Sequence, residues 1–375
     1  VLVFIVFAAL MVARVLPALL AVPAMAIFMA AVCGVDAAGL STIVTDGVVA
    51  LASTYVTVIF GAFLGRVTLE TKIAESIVNF AAEFGGDRPL TLSLLLCAAV
   101  AALFVSLTGL GAIIMVGSIV LPILMTVGVP RKTAATLFLM AFAAGFILNI
   151  AQLTLYANLF DVKPPQTMEW FALALFGIDA VVLVVYAIVR FRVTRDFATW
   201  AVAAPQTVRA RVPIYALITP LLPIVLFYAL NMNPIVAFTL SALYGVLTTR
   251  PRSAVQVLLA GAIRGIEDVA PAIVLMMGIG MLLVATKNAH VQAALAPIVA
   301  AAAPRTPLAY VLLFGLASPL ALFRGPLNPF GVGIAVYSVL AGLHVLEPIA
   351  LVAAVMAVVQ VQHVCDPPNT ANVWV

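Results

Sequence analysis

The sequence predicts an all-α polytopic membrane protein built from two inverted-topology repeats, each with a re-entrant hairpin and a broken transmembrane helix. Three observations carry that expectation. Hydrophobic residues make up 65% of the 375 positions and charged residues 9%, far from the balance of a water-soluble domain. Two Gly/Pro-rich breaks, 105–111 and 323–331, each part a pair of apolar runs too short to span the roughly 30 Å of bilayer hydrocarbon. Each break is followed by a longer apolar segment with polar residues inside it. Gly111 to Asn149 and Asn328 to Asp366 are both 38 positions, which argues for an internal repeat.

Taken in order, 1–13 and 16–33 are apolar segments parted by Arg14, and 44–65 is the next span, closed by Arg66. Glu70, Lys72, Glu75 and Glu83 alternate with apolar residues over 67–84, so an amphipathic helix lying at the interface is expected there. The first hairpin is 90–127, and its interrupted helix is 134–160, broken by Asn149 and Gln152. A span over 170–191 ends the first repeat, 1–189, and the polar stretch 190–211 reads as a linker. The second repeat, 212–375, holds spans at 212–230, 235–247 and 269–285, with interfacial pieces at 253–265 and 290–303. The second hairpin, 308–343, and a broken helix, 349–375, complete it. The chain starts on Val1 and stops on Val373-Trp374-Val375 within apolar sequence, so it is expected to continue beyond both ends.

Basic residues test this map, because Lys and Arg concentrate on the cytoplasmic side of bacterial-type inner membranes. With the linker 190–211 in the cytoplasm, 14 of them fall inside. Only Lys163, Lys287 and Arg305 fall outside, with Arg324 at the second tip. The first hairpin then enters from the cytoplasm and the second from the opposite side. Carriers with such inverted repeats hold their substrates and ions near the midplane, at broken helices.

The candidate residues lie at those breaks. A guanidinium at depth is costly and marks a pathway, and Arg324 beside Gly325 and Pro326 could clamp a carboxylate or pair with Asp366. Pro367 and Pro368 remove backbone donors and free carbonyls around Asp366, Asn369 and Thr370. Asp366 is the first candidate to carry a coupling proton or to end the helix at the interface, and His363 the second. Ser106, Thr108, Gly109 and Gly111 at the first tip suit close approach to a ligand or tight helix packing. Asn149 and Asn328 are polar at membrane depth, and Na⁺ near Gly111, Asn149, Asn328 and Asp366 is a further expectation. Asp179, inside an apolar span, reads as structural or as a dimer contact, and Glu267 and Asp268 near Arg264 as an interfacial charge cluster.

Other chemistries find no support. Cys33, Cys97 and Cys365 lack metal or redox spacing and read as packing residues. No GxxxxGK[ST], GxGxxG or HExxH occurs, and the arginines form no stripe of the kind that grips nucleic acid. No enzyme and no cofactor are expected.

The stretches Ile59-Phe60-Gly61-Ala62-Phe63-Leu64-Gly65-Arg66, Lys72-Ile73-Ala74-Glu75, and Gly85-Gly86-Asp87-Arg88-Pro89-Leu90 with the run to Leu121-Pro122 carry a resemblance. The chain resembles the ion transporter superfamily of inverted-repeat carriers, most closely its gluconate permease and citrate transporter branches. The architecture matches over nearly the whole chain, the recognisable sequence over a minority of it. Thr108-Gly109-Leu110-Gly111 and Gly325-Pro326-Leu327-Asn328 depart from the Ser-Asn-Thr tips of the dicarboxylate/sodium branch. The resemblance implies a homodimer with a scaffold and a moving part in a lipid membrane. It also implies H⁺- or Na⁺-coupled symport of a small organic anion, or cation/proton antiport as the alternative.

Overall fold

The computed structural model describes residues 2–13, 15–86, 88–162, 169–193, 212–331, 333–342, 346–367 and 369–375. Arg14, Lys163, Pro368 and residues 194–211 of the expected linker lie outside them. All regular structure among the described residues is helical. In chain order the first helices are α1 (Leu2–Val12), α2 (Ala18–Val32), α3 (Ala37–Ala50), α4 (Ala52–Glu70) and α5 (Ile73–Gly85). Next come α6 (Pro89–Phe104), α7 (Leu110–Thr126), α8 (Arg131–Ile147), α9 (Ile150–Phe160) and α10 (Glu169–Ile188). The rest are α11 (Leu222–Leu230), α12 (Pro234–Thr249), α13 (Ala254–Lys287), α14 (Ala289–Ala302), α15 (Pro307–Val311), α16 (Gly333–Gly342), α17 (Pro348–Cys365) and α18 (Thr370–Trp374). Among the described residues, four helical stretches are long and apolar enough to cross a membrane, or six when each bent pair counts as one span.

Both expected hairpins form. In the first, α6 and α7 are short, and the chain turns at 105–109 with Gly109 at φ 93°, a backbone region that glycine enters without strain. Its interrupted helix is α8 and α9, bent by 56° at Leu148 and Asn149. In the second, α15 passes into a π turn (Leu312–Leu316) and a 3-10 segment (Ser318–Arg324), bent by 42° between them. The chain then crosses to α16 through residues 325–332, and α17 breaks before α18.

The element boundaries carry the repeat further than residue spacing did. The stretch Ala37–Glu70 is 34 residues long, and so is α13 at Ala254–Lys287 (254 − 37 = 217). The starts of α8 and α17, at Arg131 and Pro348, differ by the same 217, as do Asn149 and Asp366 (366 − 149 = 217).

Three expectations change. The interfacial helix of 67–84 is instead the end of α4 and a separate α5, with Lys72 in the left-handed region between them. The piece at 253–265 and the span at 269–285 are one helix, α13. Arg264 and Asp268 mark no boundary there because each is neutralised by a residue of α4. The span at 212–230 is divided at Thr219–Leu221, where Pro220 follows the 3-10 turn Ile214–Ile218 and α11 starts only at Leu222.

The chain divides into two compact units. One comprises 1–55, 154–168 and 270–372 and holds the second hairpin with its broken helix. Its core includes Tyr337, fully buried, with Phe160 and Phe314 at ring distances of 6.2 and 6.3 Å. The other comprises 56–153, 169–269 and 373–375 and holds the first hairpin. There Phe104 of α6 packs on Phe142 of α8 at 4.8 Å, and Gly145 lets the backbone of α8 lie against Ala101. In the same unit α10 buries Ala172, Leu183 and Ala187 and exposes Trp170, Ile178, Val181 and Val185, as a lipid-facing helix does.

Candidate functional site

At the first tip every polar group singled out is engaged within its own unit. Asn149 is fully buried, and its Nδ2 donates to the carbonyls of Phe104 and Leu107 at 3.0 and 3.2 Å. Its Oδ1 accepts from Ala151 N at 3.0 Å, capping α9. One side chain therefore ties the hairpin turn to the helix break. The hydroxyl of Ser106 donates to Pro220 O, and that of Thr108 to Val58 O at 3.2 Å. Gly61 opposes Thr108 closely enough that a Cβ would lie 2.9 Å from its Oγ1.

A feature that the sequence reading assigned to the membrane interface closes this tip. Arg66 Nε and Nη2 donate to the two carboxylate oxygens of Asp268, each at 2.5 Å. The pair lies directly on Gly111, where a Cβ would collide with the carboxylate and the guanidinium. Gly109 faces Val269 and Asp268. The only sequence signal was the i, i+4 order of charges on two helices, Arg66 and Glu70 against Arg264 and Asp268.

The second tip is built differently. Phe323 and Arg324 both take the left-handed backbone conformation, at φ 56° and 59°. Two consecutive non-glycine residues in that region store strain that the surroundings must hold. Asp366 does so: it is fully buried, and its Oδ1 accepts the Phe323 N–H at 2.6 Å. Asp366 thus pins hairpin to broken helix through the backbone. Arg324 turns its Nη1 to Phe330 O at 3.2 Å. Asn328 is fully buried and shapes the turn, giving Nδ2 to Ala321 O at 2.9 Å and taking Phe330 N at 2.8 Å. Tyr337 Oη donates to Leu327 O at 3.0 Å. A Cβ on Gly325 would strike the carbonyl of Leu320, so the tip needs glycine there.

The break itself repeats the Asn149 arrangement with its tasks divided. Asp366 holds the hairpin, while Asn369 caps α18, its Oδ1 accepting from Ala371 N at 3.1 Å and its Nδ2 donating to Gln362 O at 3.1 Å. Asn372 Nδ2 donates to Asp366 O at 2.8 Å. His363 is buried beside Gln362, and the side chain of Thr370 lies outside the described residues. Among the described residues, three buried oxygens in this break have no hydrogen-bond partner: Gln362 Oε1, Asp366 Oδ2 and Asn372 Oδ1. Such groups are costly and call for a water, a proton, a cation or a ligand donor. Asn372 went unnoticed in the sequence, since it lies past the break and only the return of α18 brings it back to Asp366.

Among the described residues no group of three or more His, Cys, Asp or Glu could hold a metal ion. Asp179 lies partly buried on α10.

No family model matches the chain, and no curated protein does. Among solved structures, the YdaH transporter of Alcanivorax borkumensis, described as having an unusual topology, superposes with a TM-score of 0.60 at 15% identity. The match covers 88% of this chain and 79% of that one. The chain is therefore an all-α polytopic membrane protein with the fold of a membrane transporter.

Proposed function

We propose that the chain is a secondary active transporter that moves a small organic anion together with H⁺ or Na⁺ by alternating access. A hydroxy-carboxylate such as gluconate or citrate is the first substrate class to test. The observation that carries this reading is the trio of unpartnered buried oxygens at the second break, beside a strained hairpin tip that bears Arg324. Asp366 is the proposed coupling group, assisted by His363 and, in the first repeat, by Asn149. Na⁺ near Asp366 and Asn328, or near Gly111 and Asn149, is the metal-ion form of the same proposal. Arg324, Gly325, Asn328, Asn369 and Thr370 are the proposed substrate contacts of the second tip, and Thr108, Gly109, Gly111 and Asn149 those of the first. A homodimer in a bacterial inner membrane, with 190–211 in the cytoplasm, is the proposed setting.

One observation favours a second reading, cation/proton antiport without an organic substrate: Gln362, Asp366 and Asn372 each keep a buried oxygen without a hydrogen-bond partner among the described residues, and oxygen is the donor a hard cation takes. A ligand that binds only the folded state raises the melting temperature. Purified protein is screened against carboxylates, sugar acids and Na⁺, with Arg324→Ala and Asp366→Asn alongside. Stabilisation by one carboxylate that is lost in Arg324→Ala supports symport. Stabilisation by Na⁺ alone, kept in Arg324→Ala and lost in Asp366→Asn, selects antiport. No response to any of them sinks both.

A further inference from the structure

Four charges on α4 and α13 form a square. Across the helices, Arg66 donates to both carboxylate oxygens of Asp268, and Arg264 pairs with Glu70. Along the helices, Arg66 and Glu70 are four residues apart, and so are Arg264 and Asp268. Side chains at that spacing are neighbours on a helix surface, with Cβ atoms about 5–6 Å apart. Each basic residue therefore has two acidic partners within reach, one across and one along, and Glu267 also lies near enough to act on the charge of Arg66.

We propose that this square is a two-state latch on the first hairpin, in which the pairs exchange from across the helices to along them. In the state described here the Asp268 carboxylate covers Gly111 and the tip is held. In the alternate state Asp268 turns back to Arg264, Arg66 turns to Glu70, and Gly111 is uncovered. The exchange leaves no charge without a partner. That matters because Arg66 and Asp268 are mostly out of solvent, at 20% and 12% side-chain exposure. Simply breaking such a pair strands a poorly solvated charge, which is strongly unfavourable. Both along-helix pairs place the base N-terminal to the acid, the weaker order for an i, i+4 pair. The across-helix arrangement is therefore the resting one. Arg264 and Glu70 are the more exposed pair, at 54% and 31%, and so are free to rearrange first.

The test reads hydrogen exchange of the backbone amides of 104–112 in the full chain in lipid nanodiscs. Glu70→Gln with Arg264→Gln and Glu267→Gln removes the alternate partners, at partly or fully exposed positions, and leaves the Arg66–Asp268 pair in place. A latch of this kind makes opening of the tip about two- to fivefold rarer in that variant, and exchange slows by that factor. A static brace loses one of its two cross-links instead, so exchange stays the same or speeds up; either result overturns the proposal. Arg66→Asp with Asp268→Arg keeps the cross pairing but sets like charges four apart on both helices, and it too slows the tip. Reversing all four, Arg66→Glu, Glu70→Arg, Arg264→Glu and Asp268→Arg, puts the along-helix pairs in the stronger order, so a latch returns exchange to the original rate or above it. Failure of that reversal in protein with an unchanged melting temperature also overturns it.

Discussion

Asn149 and Asp366 stand at equivalent positions of the two repeats, and the difference of one atom separates their tolerance to change. Asn149 donates to two hairpin carbonyls and accepts a cap bond. Asn149→Ala leaves those groups buried without partners, at a cost of about 3 kcal/mol. A clear fall in melting temperature measures it. Asp366 uses one oxygen to accept the Phe323 N–H, and the other has no hydrogen-bond partner among the described residues. Asp366→Asn keeps that acceptor and removes the charge. Its melting temperature is expected to stay within a few degrees of the parent, while any Na⁺- or pH-dependence of transport disappears. Glycines divide in the same way. Gly111→Ala drives a methyl into the Arg66–Asp268 pair and is expected to cost about 1–3 kcal/mol. Gly177→Ala on α10 meets nothing within 4 Å and is expected to stabilise by about 0.5 kcal/mol. Unfolding of the two variants in the same detergent ranks them, and equal values would remove the packing argument at Gly111.

At the scale of elements, the hairpins and interrupted helices were legible because each is a local fact: a Gly/Pro break between two runs too short to span. The spacing of Asn149 and Asp366 behind them was equally local. What escaped the sequence depends on partners far along the chain. Asp268 lies 202 positions from Arg66, and without that partner its charge reads as the end of a helix, so α13 was divided in two. The entering limb of the second hairpin was expected as one run, yet it winds through π and 3-10 turns around Pro319 before Asp366 fixes Phe323. The tip of that hairpin depends on a long-range tether, so its looseness can be set from α16. Tyr337→Phe leaves the Leu327 carbonyl unbonded in a fully buried place, at about 1–2 kcal/mol. Faster hydrogen exchange over 323–331, with the first tip at 105–111 unchanged, is the expected outcome. Equal acceleration at both tips would mean a global loss of stability instead.

For the whole molecule, the shift of 217 positions links helix starts, helix lengths and the two break residues, so the repeat governs the order of elements and not single motifs. Repeats of that kind run either parallel or inverted, and charge distinguishes the two. Putting 190–211 in the cytoplasm leaves 14 basic residues on that side of the sequence map and three on the other, or 13 to three without Arg66, which lies on Gly111 at the first tip, a bias that a parallel arrangement would erase. The prediction is read by thiol labelling. With Cys33, Cys97 and Cys365 replaced, single cysteines at Arg131 and Arg250 are expected to react with an impermeant reagent only in inverted vesicles. Cysteines at Lys287 and Arg305 are expected to react only in right-side-out ones. Arg131 opens α8, which carries the Asn149 break, and Arg305 lies just ahead of the second hairpin. Their opposite sidedness would mean that the two hairpins enter from opposite faces. Labelling of 131 and 305 from the same side would make the repeats parallel. The breaks at Asn149 and Asp366 would then face the same compartment, and a substrate path that alternates between compartments through them would lose its structural basis.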